Sequence, residues 1–312
     1  DDYLGPTTLR VGIEKSRNLM TVRLAQAIGM DKVADYSSRF GIYDNLPQQL
    51  AMSLGAGETT VLKLTSAYAM LVNGGKRIAP TLIDRIQDRN GKTVFSPDTR
   101  FCEGCWMVQY SGQDMPRLPD TREQIIDPVT AFQMVSILEG VVQRGTGRTI
   151  AQVGKPLAGK TGTSNDSMDT WFVGFSPDLA VGVFIGFDEP QSLGDKETGG
   201  SVAAPVFRDF MAEALKGRPA TDFRAPPGLR MVRVDPATGR PSAAGDSRSI
   251  WEAFKSGDSL PGDDQDVLEG EGVIDPGFSF GPLPVETGPA AGDPRAPPPA
   301  GGAPAPIPGG LY

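Results

Sequence analysis

The pattern of apolar and polar positions contains three strand-like runs in succession between residues 157 and 187. They are Leu157–Thr163, Thr170–Phe175 and Leu179–Phe187, and the short sequence Ser176-Pro177-Asp178 connects the second run to the third. Short runs bounded by turn residues are typical of β-strands, and a tight connection favours antiparallel neighbours. We therefore predict an antiparallel meander at the centre of a sheet. The third run is nearly all apolar, which predicts that both of its faces are covered.

Elsewhere apolar residues recur at spacings of three and four, which predicts helices. The predicted helices cover residues 9–28, 31–40, 61–73, 129–143 and 201–217. The first is interrupted near Ser16-Arg17-Asn18, which places a hydroxyl and an amide at the start of a helix. A plain N-cap is the simplest interpretation, because Ser and Asn are the usual capping residues. In the last helix we expect the following residues to pack on the sheet: Val206, Phe207, Phe210 and Leu215.

Two hairpins are predicted outside the meander. Asn90-Gly91 is the turn of the first, within residues 81–95, and Asp235–Gly239 is the turn of the second, within residues 229–241. We divide the chain into a main region at 1–220 with a hairpin and loop insertion at 79–124, a hairpin and extension at 221–256, and a tail at 257–312. In residues 281–312 Pro and Gly occupy 17 of 32 positions, which predicts that the tail is disordered.

A glycine turn follows the helix predicted at 129–143. Its sequence is Arg144-Gly145-Thr146-Gly147-Arg148. A phosphate-binding interpretation is weak, because the pattern is not Gly-x-x-x-x-Gly-Lys-Ser/Thr.

Charge and hydropathy exclude some function classes. The formal net charge of −8 at pH 7 and the lack of a long Lys/Arg block argue against nucleic acid as a partner. No run approaches about 18 consecutive apolar residues, so we expect no membrane span in this chain. The first residue, Asp1, is not an initiator Met, and we expect the chain to be a piece of a longer protein.

The chain contains no histidine. This excludes Ser-His-Asp and Cys-His couples and histidine-ligated metal sites within it, and leaves acid–base chemistry to Lys, Asp, Glu, Tyr or a hydroxyl. Its two cysteines, Cys102 and Cys105, form one Cys-x-x-Cys, which is too few ligands for a structural zinc site. The loop-like surroundings lack the βαβ context of a redox motif, so we expect a local disulfide or two spare thiols.

The first predicted strand carries the sequence Lys160-Thr161-Gly162-Thr163. An ammonium can bind a carboxylate or lower the pKa of a nearby hydroxyl, and glycine lets a substrate backbone lie close to the strand. The two Thr hydroxyls can hold a substrate carboxylate, and a backbone N–H can serve in an oxyanion hole. The alternative is an exposed edge strand with a solvated lysine. Neither the Lys-Thr-Gly-Thr sequence nor the Ser-x-Asn at residues 16–18 is enough by itself to decide between a substrate-binding strand and an exposed edge strand.

Six segments, in this order along the chain, resemble one family. They are EKSRNLMTVRLAQAIG, SLGAGETTVLKLTSAYAMLVNGG, GVVQRGTGRTI, GKTGTSND, DTWFVGFSPDLAVGVFIGFD and TGGSVAAPVFRDFM. Together they resemble the transpeptidase domain of bifunctional class A penicillin-binding proteins of the 1A type, over about residues 5–255. The resemblance implies an α+β fold like that of penicillin-binding proteins and serine β-lactamases. That fold has an antiparallel sheet of about five strands with helices on both faces.

The resemblance also implies a reaction and a role for each site residue. The reaction is the cross-linking of peptidoglycan stem peptides, by acyl transfer from D-Ala-D-Ala through a serine ester to an amine of a second stem peptide. It requires no cofactor and no metal, and β-lactams are expected to react as mimics of D-alanyl-D-alanine.

Ser16 and Asn18 match the second family motif, and Lys160, Thr161, Gly162 and Thr163 match the third. Ser16 would relay a proton, and Asn18 would orient the substrate amide. Lys160 would polarise Ser16 and attract the terminal carboxylate, which Thr161 and Thr163 would bind, and the Thr163 N–H would serve in the oxyanion hole.

The family's first motif, Ser-x-x-Lys, does not occur in the 312 residues. The resemblance therefore implies that the nucleophilic serine, the glycosyltransferase domain and the membrane anchor lie upstream. We expect this chain to be inactive alone, and the complete protein to lie at the periplasmic face of the bacterial inner membrane. Two alternatives stay open: a D-Ala-D-Ala carboxypeptidase or β-lactamase-like hydrolase, in which water replaces the acceptor amine, and a non-catalytic module that binds peptidoglycan or a partner protein.

Overall fold

The computed structural model describes residues 5–260, apart from 103–104, 106–108, 110, 113, 117 and 244. These residues belong to one compact unit, which contains all the elements below. The predicted disorder of the tail falls on residues that, from 261 onward, lie outside the described part of the chain. None of the helices in the described ranges has the length and apolar character needed to cross a bilayer.

Six α-helices and seven strands are found in the described residues. The helices are α1 (Leu9–Glu14), α2 (Asn18–Ile28), α3 (Met30–Arg39), α4 (Val61–Val72), α5 (Pro128–Gln143) and α6 (Ala204–Ala214). The strands are β1 (Ile86–Gln87), β2 (Thr93–Phe95), β3 (Ala158–Thr163), β4 (Thr170–Ser176), β5 (Leu179–Ile185), β6 (Leu229–Val234) and β7 (Ile250–Lys255). The helices expected from the apolar pattern and the three strands of the expected meander are present, and the break at residues 16–18 separates α1 from α2.

The predicted meander is confirmed as an antiparallel sheet in the order β3-β4-β5. Its described part has three strands rather than about five, because β6 and β7 pair with each other in a sheet of their own. The central strand β4 is almost wholly buried. β5 is covered on both faces, as expected, since Val181 and Val183 pack against the cluster of Phe207 and Gly182 lies against Thr65 of α4. The cover is incomplete, because β5 is an edge strand here: its residues are only half-buried and Phe184 is 43% exposed.

One face of the sheet packs on α6. Phe172 of β4 lies against Phe207, with 4.6 Å between the ring centroids, and Met211 and Leu215 extend the same cluster. Two of the four residues expected to pack there do not, since Val206 is 48% and Phe210 is 53% exposed. The spacing 207-211-215 sets the buried stripe of α6, and residues 206 and 210 lie one position off that stripe.

The opposite face packs on α4 and α5. Phe175 of β4 lies in a cluster with Tyr68 of α4 and Leu138 of α5. Helix α4 comes close to the sheet at Gly182 of β5, where an added Cβ would overlap the hydroxyl of Thr65. Helices therefore lie on both faces of the sheet, as the family resemblance implies.

The insertion at 79–124 is closed at its base, where Lys76 and Arg77 pair with residues 123–124 by a β-bridge and a backbone hydrogen bond. The predicted hairpin forms as β1 and β2, and its residues are exposed. Cys102 and Cys105 form a disulfide, which is the first of the two alternatives for this pair.

The second hairpin differs from the prediction. The turn at Asp235–Gly239 forms, and after it the chain pairs back over one bridge, Val234 with Pro241, with backbone hydrogen bonds from Asp235 to Arg240 and from Ser242 to Arg233. This return does not extend into a strand, and β6 pairs along its whole length with β7. The β6–β7 hairpin is tied to the helices, because Gln133 of α5 donates to the Ala253 carbonyl at 2.8 Å and Thr8 donates to the Pro236 carbonyl at 2.7 Å.

Candidate active site

The break between α1 and α2 holds Ser16 in a left-handed backbone conformation. Its φ is 54°, a region that costs a residue other than glycine about 1 kcal/mol. The N-cap of α2 is Arg17, which makes no side-chain capping bond, and Asn18 is the first helical residue. The interpretation of Ser16 as a plain N-cap is therefore wrong. Ser16 and Asn18 are both exposed, so their polar groups are accessible to a substrate.

Lys160 brings β3 and the α1–α2 break together. Its Nζ donates to the Ser16 Oγ at 2.7 Å and to the Thr161 carbonyl at 3.1 Å. Ser16 and Lys160 are 144 residues apart in the chain, so the fold alone creates this contact. The alternative of a solvated lysine on an edge strand does not hold, since the ammonium is partly buried between two elements.

Burial lowers the pKa of the Lys160 ammonium from its usual 10.5 to about 8. The ammonium loses water at this position, and neither of its two described hydrogen bonds is to a carboxylate that would compensate for the lost hydration. An amine with a pKa near 8 can release or accept a proton close to neutral pH. Lys160 can therefore supply a positive charge to an anion and exchange a proton with the Ser16 hydroxyl.

Thr161 and Thr163 lie on the face of β3 opposite to the Lys160 side chain, because side chains alternate along a strand. The Thr161 Oγ1 is 2.7 Å from the Thr146 Oγ1, and the Thr163 Oγ1 accepts a hydrogen bond from the Gly199 N–H at 3.0 Å. β3 is also an edge strand of the described sheet. An extended peptide can therefore pair with its free edge.

Gly162 packs inward. A Cβ at this position would lie 3.1 Å from the Trp171 Cβ, closer than ordinary packing allows. Trp171 in turn contacts Phe184, with 4.7 Å between ring centroids. Close packing against Trp171 thus explains why a glycine occupies position 162. The approach of a substrate backbone to Gly162 stays a prediction.

A buried group of charges supports the residues on both sides of Ser16. Glu14, which is 2% exposed, accepts from the Arg144 Nη2 at 2.6 Å and from the Arg10 Nη1 at 3.4 Å. Arg10 forms a two-bonded ion pair with Glu252 of β7. Sequence reasoning missed these residues and Thr146; the only signals were the i, i+4 spacing of Arg10 and Glu14 and the glycines on either side of Thr146.

The six predicted site residues fall into two groups. Lys160 and Ser16 are in contact, and Thr161 and Thr163 follow Lys160 along β3 with their side chains on the opposite face. Asn18 lies two residues after Ser16 at the start of α2, with its amide in solvent. We call Lys160–Thr163 the strand wall and Ser16–Asn18 the helix wall, since the Lys160–Ser16 hydrogen bond joins them, and we expect them to border one substrate cleft. The cleft combines a cation of lowered pKa, three hydroxyls and a free strand edge.

The chain is similar to known proteins over most of its length. The family model described as "Penicillin binding protein transpeptidase domain" matches residues 1–212. Penicillin-binding protein 1A of Rickettsia bellii is 44% identical over 86% of this chain and 34% of its own length, and that of Pseudomonas aeruginosa is 34% identical over 92% of this chain and 38% of its own length. The crystal structure of penicillin-binding protein 1A from Haemophilus influenzae superposes with a TM-score of 0.68 at 30% identity, over 82% of this chain and 41% of that chain.

The chain spans about a third of the length of the curated relatives that it matches. The family model covers the two walls of the cleft and the whole β3–β5 sheet. The β6–β7 hairpin lies beyond it. On this match and on these identities, the chain belongs to the penicillin-binding protein transpeptidase family.

Proposed function

We propose that this chain forms part of a peptidoglycan D,D-transpeptidase, which cross-links stem peptides by acyl transfer through a serine ester. The observation that carries the proposal is the 2.7 Å hydrogen bond from Lys160 to Ser16, which joins the two motifs into one cleft. The family match supports the same reaction. The nucleophilic serine is proposed to lie outside these 312 residues, because no Ser-x-x-Lys occurs in them.

The proposed chemistry follows from the positions of the side chains. The nucleophile attacks the carbonyl of the penultimate D-alanine, and the terminal D-alanine leaves as an amine that must gain a proton. Ser16 passes this proton on, since its hydroxyl can both donate and accept, and Lys160 keeps it oriented and polarised. An amine of a second stem peptide then attacks the ester and restores the serine.

The strand wall is proposed to recognise the anionic end of the donor. The terminal carboxylate accepts hydrogen bonds from the hydroxyls of Thr161 and Thr163 and is attracted by the Lys160 ammonium. The Thr163 N–H contributes to the oxyanion hole with the N–H of the nucleophile. Asn18 is proposed to orient the substrate amide across the cleft. β-Lactams carry a comparable carboxylate beside a reactive amide, and are proposed to acylate the same serine.

The complete protein is proposed to be a bifunctional cell-wall synthase at the periplasmic face of the bacterial inner membrane, because its relatives are penicillin-binding proteins 1A. Its glycosyltransferase domain and membrane anchor would lie outside this chain. The partners of the chain are then the two stem peptides and β-lactam antibiotics.

The test is an incubation of the complete protein with a D-Ala-D-Ala stem-peptide donor and an amine acceptor. Cross-linked product, lost in Lys160→Ala, is the expected result. Hydrolysed product alone would indicate a carboxypeptidase or β-lactamase-like hydrolase instead of a transpeptidase. No acyl transfer at all would indicate a non-catalytic binding module.

Fluorescent penicillin is expected to label the complete protein and to leave the 312-residue chain unlabelled. Stable labelling of this chain would contradict the proposed position of the nucleophile.

A further inference from the structure

The glycine turn at Arg144–Arg148 contacts the strand wall and the two residues just before the helix wall. On the side of the helix wall, the Thr146 N–H donates to the Glu14 carbonyl at 3.2 Å, and the Lys15 Nζ donates to the Arg144 carbonyl at 2.7 Å. These contacts involve the last residue of α1 and the residue just before Ser16. The phosphate-binding interpretation gains no support here, because the Thr146 N–H is already paired with protein.

Two glycines are needed for this close approach. A Cβ at Gly145 would overlap the Glu14 carbonyl oxygen, and a Cβ at Gly140 would overlap the Glu14 carboxylate. The turn is therefore fixed against the end of α1. Since Glu14 and Arg144 also form an ion pair at 2.6 Å, Thr146 has a defined position relative to the cleft.

On the side of the strand wall, Thr146 contacts Thr161 through their hydroxyls, at 2.7 Å. Each hydroxyl has one proton and can also accept. When Thr146 donates to the Thr161 oxygen, the proton of Thr161 is left to point elsewhere. Thr163 has the same arrangement, because its oxygen accepts from the Gly199 N–H at 3.0 Å. With the Thr146 hydroxyl as donor, both strand hydroxyls have a donor on the protein side and a proton free for a ligand.

We propose that Thr146 is a positioning residue of the site, which orients the Thr161 hydroxyl as a donor toward the substrate carboxylate. The proposal rests on the proposed function, and it assigns to the glycine turn a part in recognising the anionic end of the donor. The Gly199 N–H does for Thr163 what the Thr146 hydroxyl does for Thr161. Thr146 acts through Thr161 and touches neither the nucleophile nor the scissile bond.

The test uses the complete protein and measures acylation by fluorescent penicillin, with the binding and acylation steps separated by varying its concentration. Thr146→Val keeps the shape and removes the hydroxyl, while Thr146→Ser keeps the hydroxyl. One lost hydrogen bond to an oriented donor predicts that Thr146→Val weakens the binding step about 5-fold to 10-fold, with the acylation step nearly unchanged. Thr146→Ser is expected to stay within about 2-fold of the wild type.

A double-mutant cycle with Thr161→Val separates positioning from general damage. If Thr146 acts through Thr161, adding Thr146→Val to Thr161→Val causes no further loss. A loss that persists in the Thr161→Val background, or an effect of Thr146→Val below about 2-fold, would overturn the assignment while leaving the proposed function intact. A wild-type protein that penicillin does not acylate would overturn the proposed function, and the assignment with it.

Discussion

The two walls of the cleft are held in place by different forces. The strand wall belongs to a sheet whose backbone pairing runs continuously from Ala158 to Thr163, and apolar clusters cover both faces of that sheet. The helix wall follows the short helix α1, which is held by ion pairs with distant parts of the chain, at Arg144 and Glu252. The strand wall should therefore tolerate polar substitutions, and the helix wall should depend on a few ion pairs.

The largest effect is expected at the point where the walls meet. Lys160→Ala removes both the cation and the partner of Ser16, and should lower the acylation rate of the complete protein by about 10²-fold to 10⁴-fold. The fold should survive, because the sheet ladder does not depend on this side chain. Fluorescent penicillin labelling gives the rate, and circular dichroism serves as the control for folding. A rate within 10-fold of the wild type would show that Lys160 is not part of the chemistry.

The next largest effect is expected on stability, at the Arg10–Glu252 ion pair that holds α1 in place before the helix wall. Glu252→Ala leaves the Arg10 guanidinium, whose side chain is 4% exposed, buried without its main partner. Breaking such a pair should lower the free energy of unfolding by about 3 kcal/mol, as measured by urea denaturation of the 312-residue chain. The matched control is Glu213→Ala, which removes the exposed pair with Lys216 and should leave the unfolding curve unchanged. Equal effects of the two variants would contradict the distinction between the walls.

A smaller effect concerns pH. The folded pKa of Lys160 is about 8, and a lysine in the unfolded chain titrates at about 10.4. Between these values the unfolded chain binds more protons, so this lysine makes the free energy of unfolding rise with pH from about 8 to 10.4. Lys160→Met should remove that rise. Urea denaturation of both proteins at several pH values measures the difference, and parallel curves for the two would refute the lowered pKa.

The smallest effect concerns the backbone at Ser16. Glycine accepts a φ of 54° without strain, so Ser16→Gly should stabilise the chain by about 0.5–1 kcal/mol. The same change should lower the acylation rate of the complete protein, because the proton relay is lost. Thermal denaturation and penicillin labelling give the two results. Loss of stability would mean that the serine side chain, rather than the backbone, is what the fold requires here.

Much of the strand wall can be predicted from local sequence. The period of apolar residues and the Ser176-Pro177-Asp178 turn are enough for the β3–β5 meander, because both signals lie within a few residues. The break between α1 and α2 is visible in the same way. The motif sequences then connect Ser16 with Lys160 only through the family resemblance.

Other features could not be predicted because their causes lie far away in the chain. The Arg10–Glu252 pair joins residues 242 positions apart, and no local pattern marks either partner. The sequence does not show that Val206 and Phe210 face away from the sheet, because apolar residues of α6 lie on both sides of its buried stripe. The main partner of β6 could not be predicted either, because the predicted turn forms but the chain after it pairs back over a single bridge, and the full ladder is made with the more distant β7.

The most direct measurement is a crystal structure of the complete protein acylated by penicillin. We expect the penicillin carboxylate to lie within hydrogen-bond distance of the Thr161 and Thr163 hydroxyls, and the Lys160–Ser16 bond to be retained beside the ester. A carboxylate bound elsewhere, or an ester formed at a serine remote from Ser16 and Lys160, would contradict it.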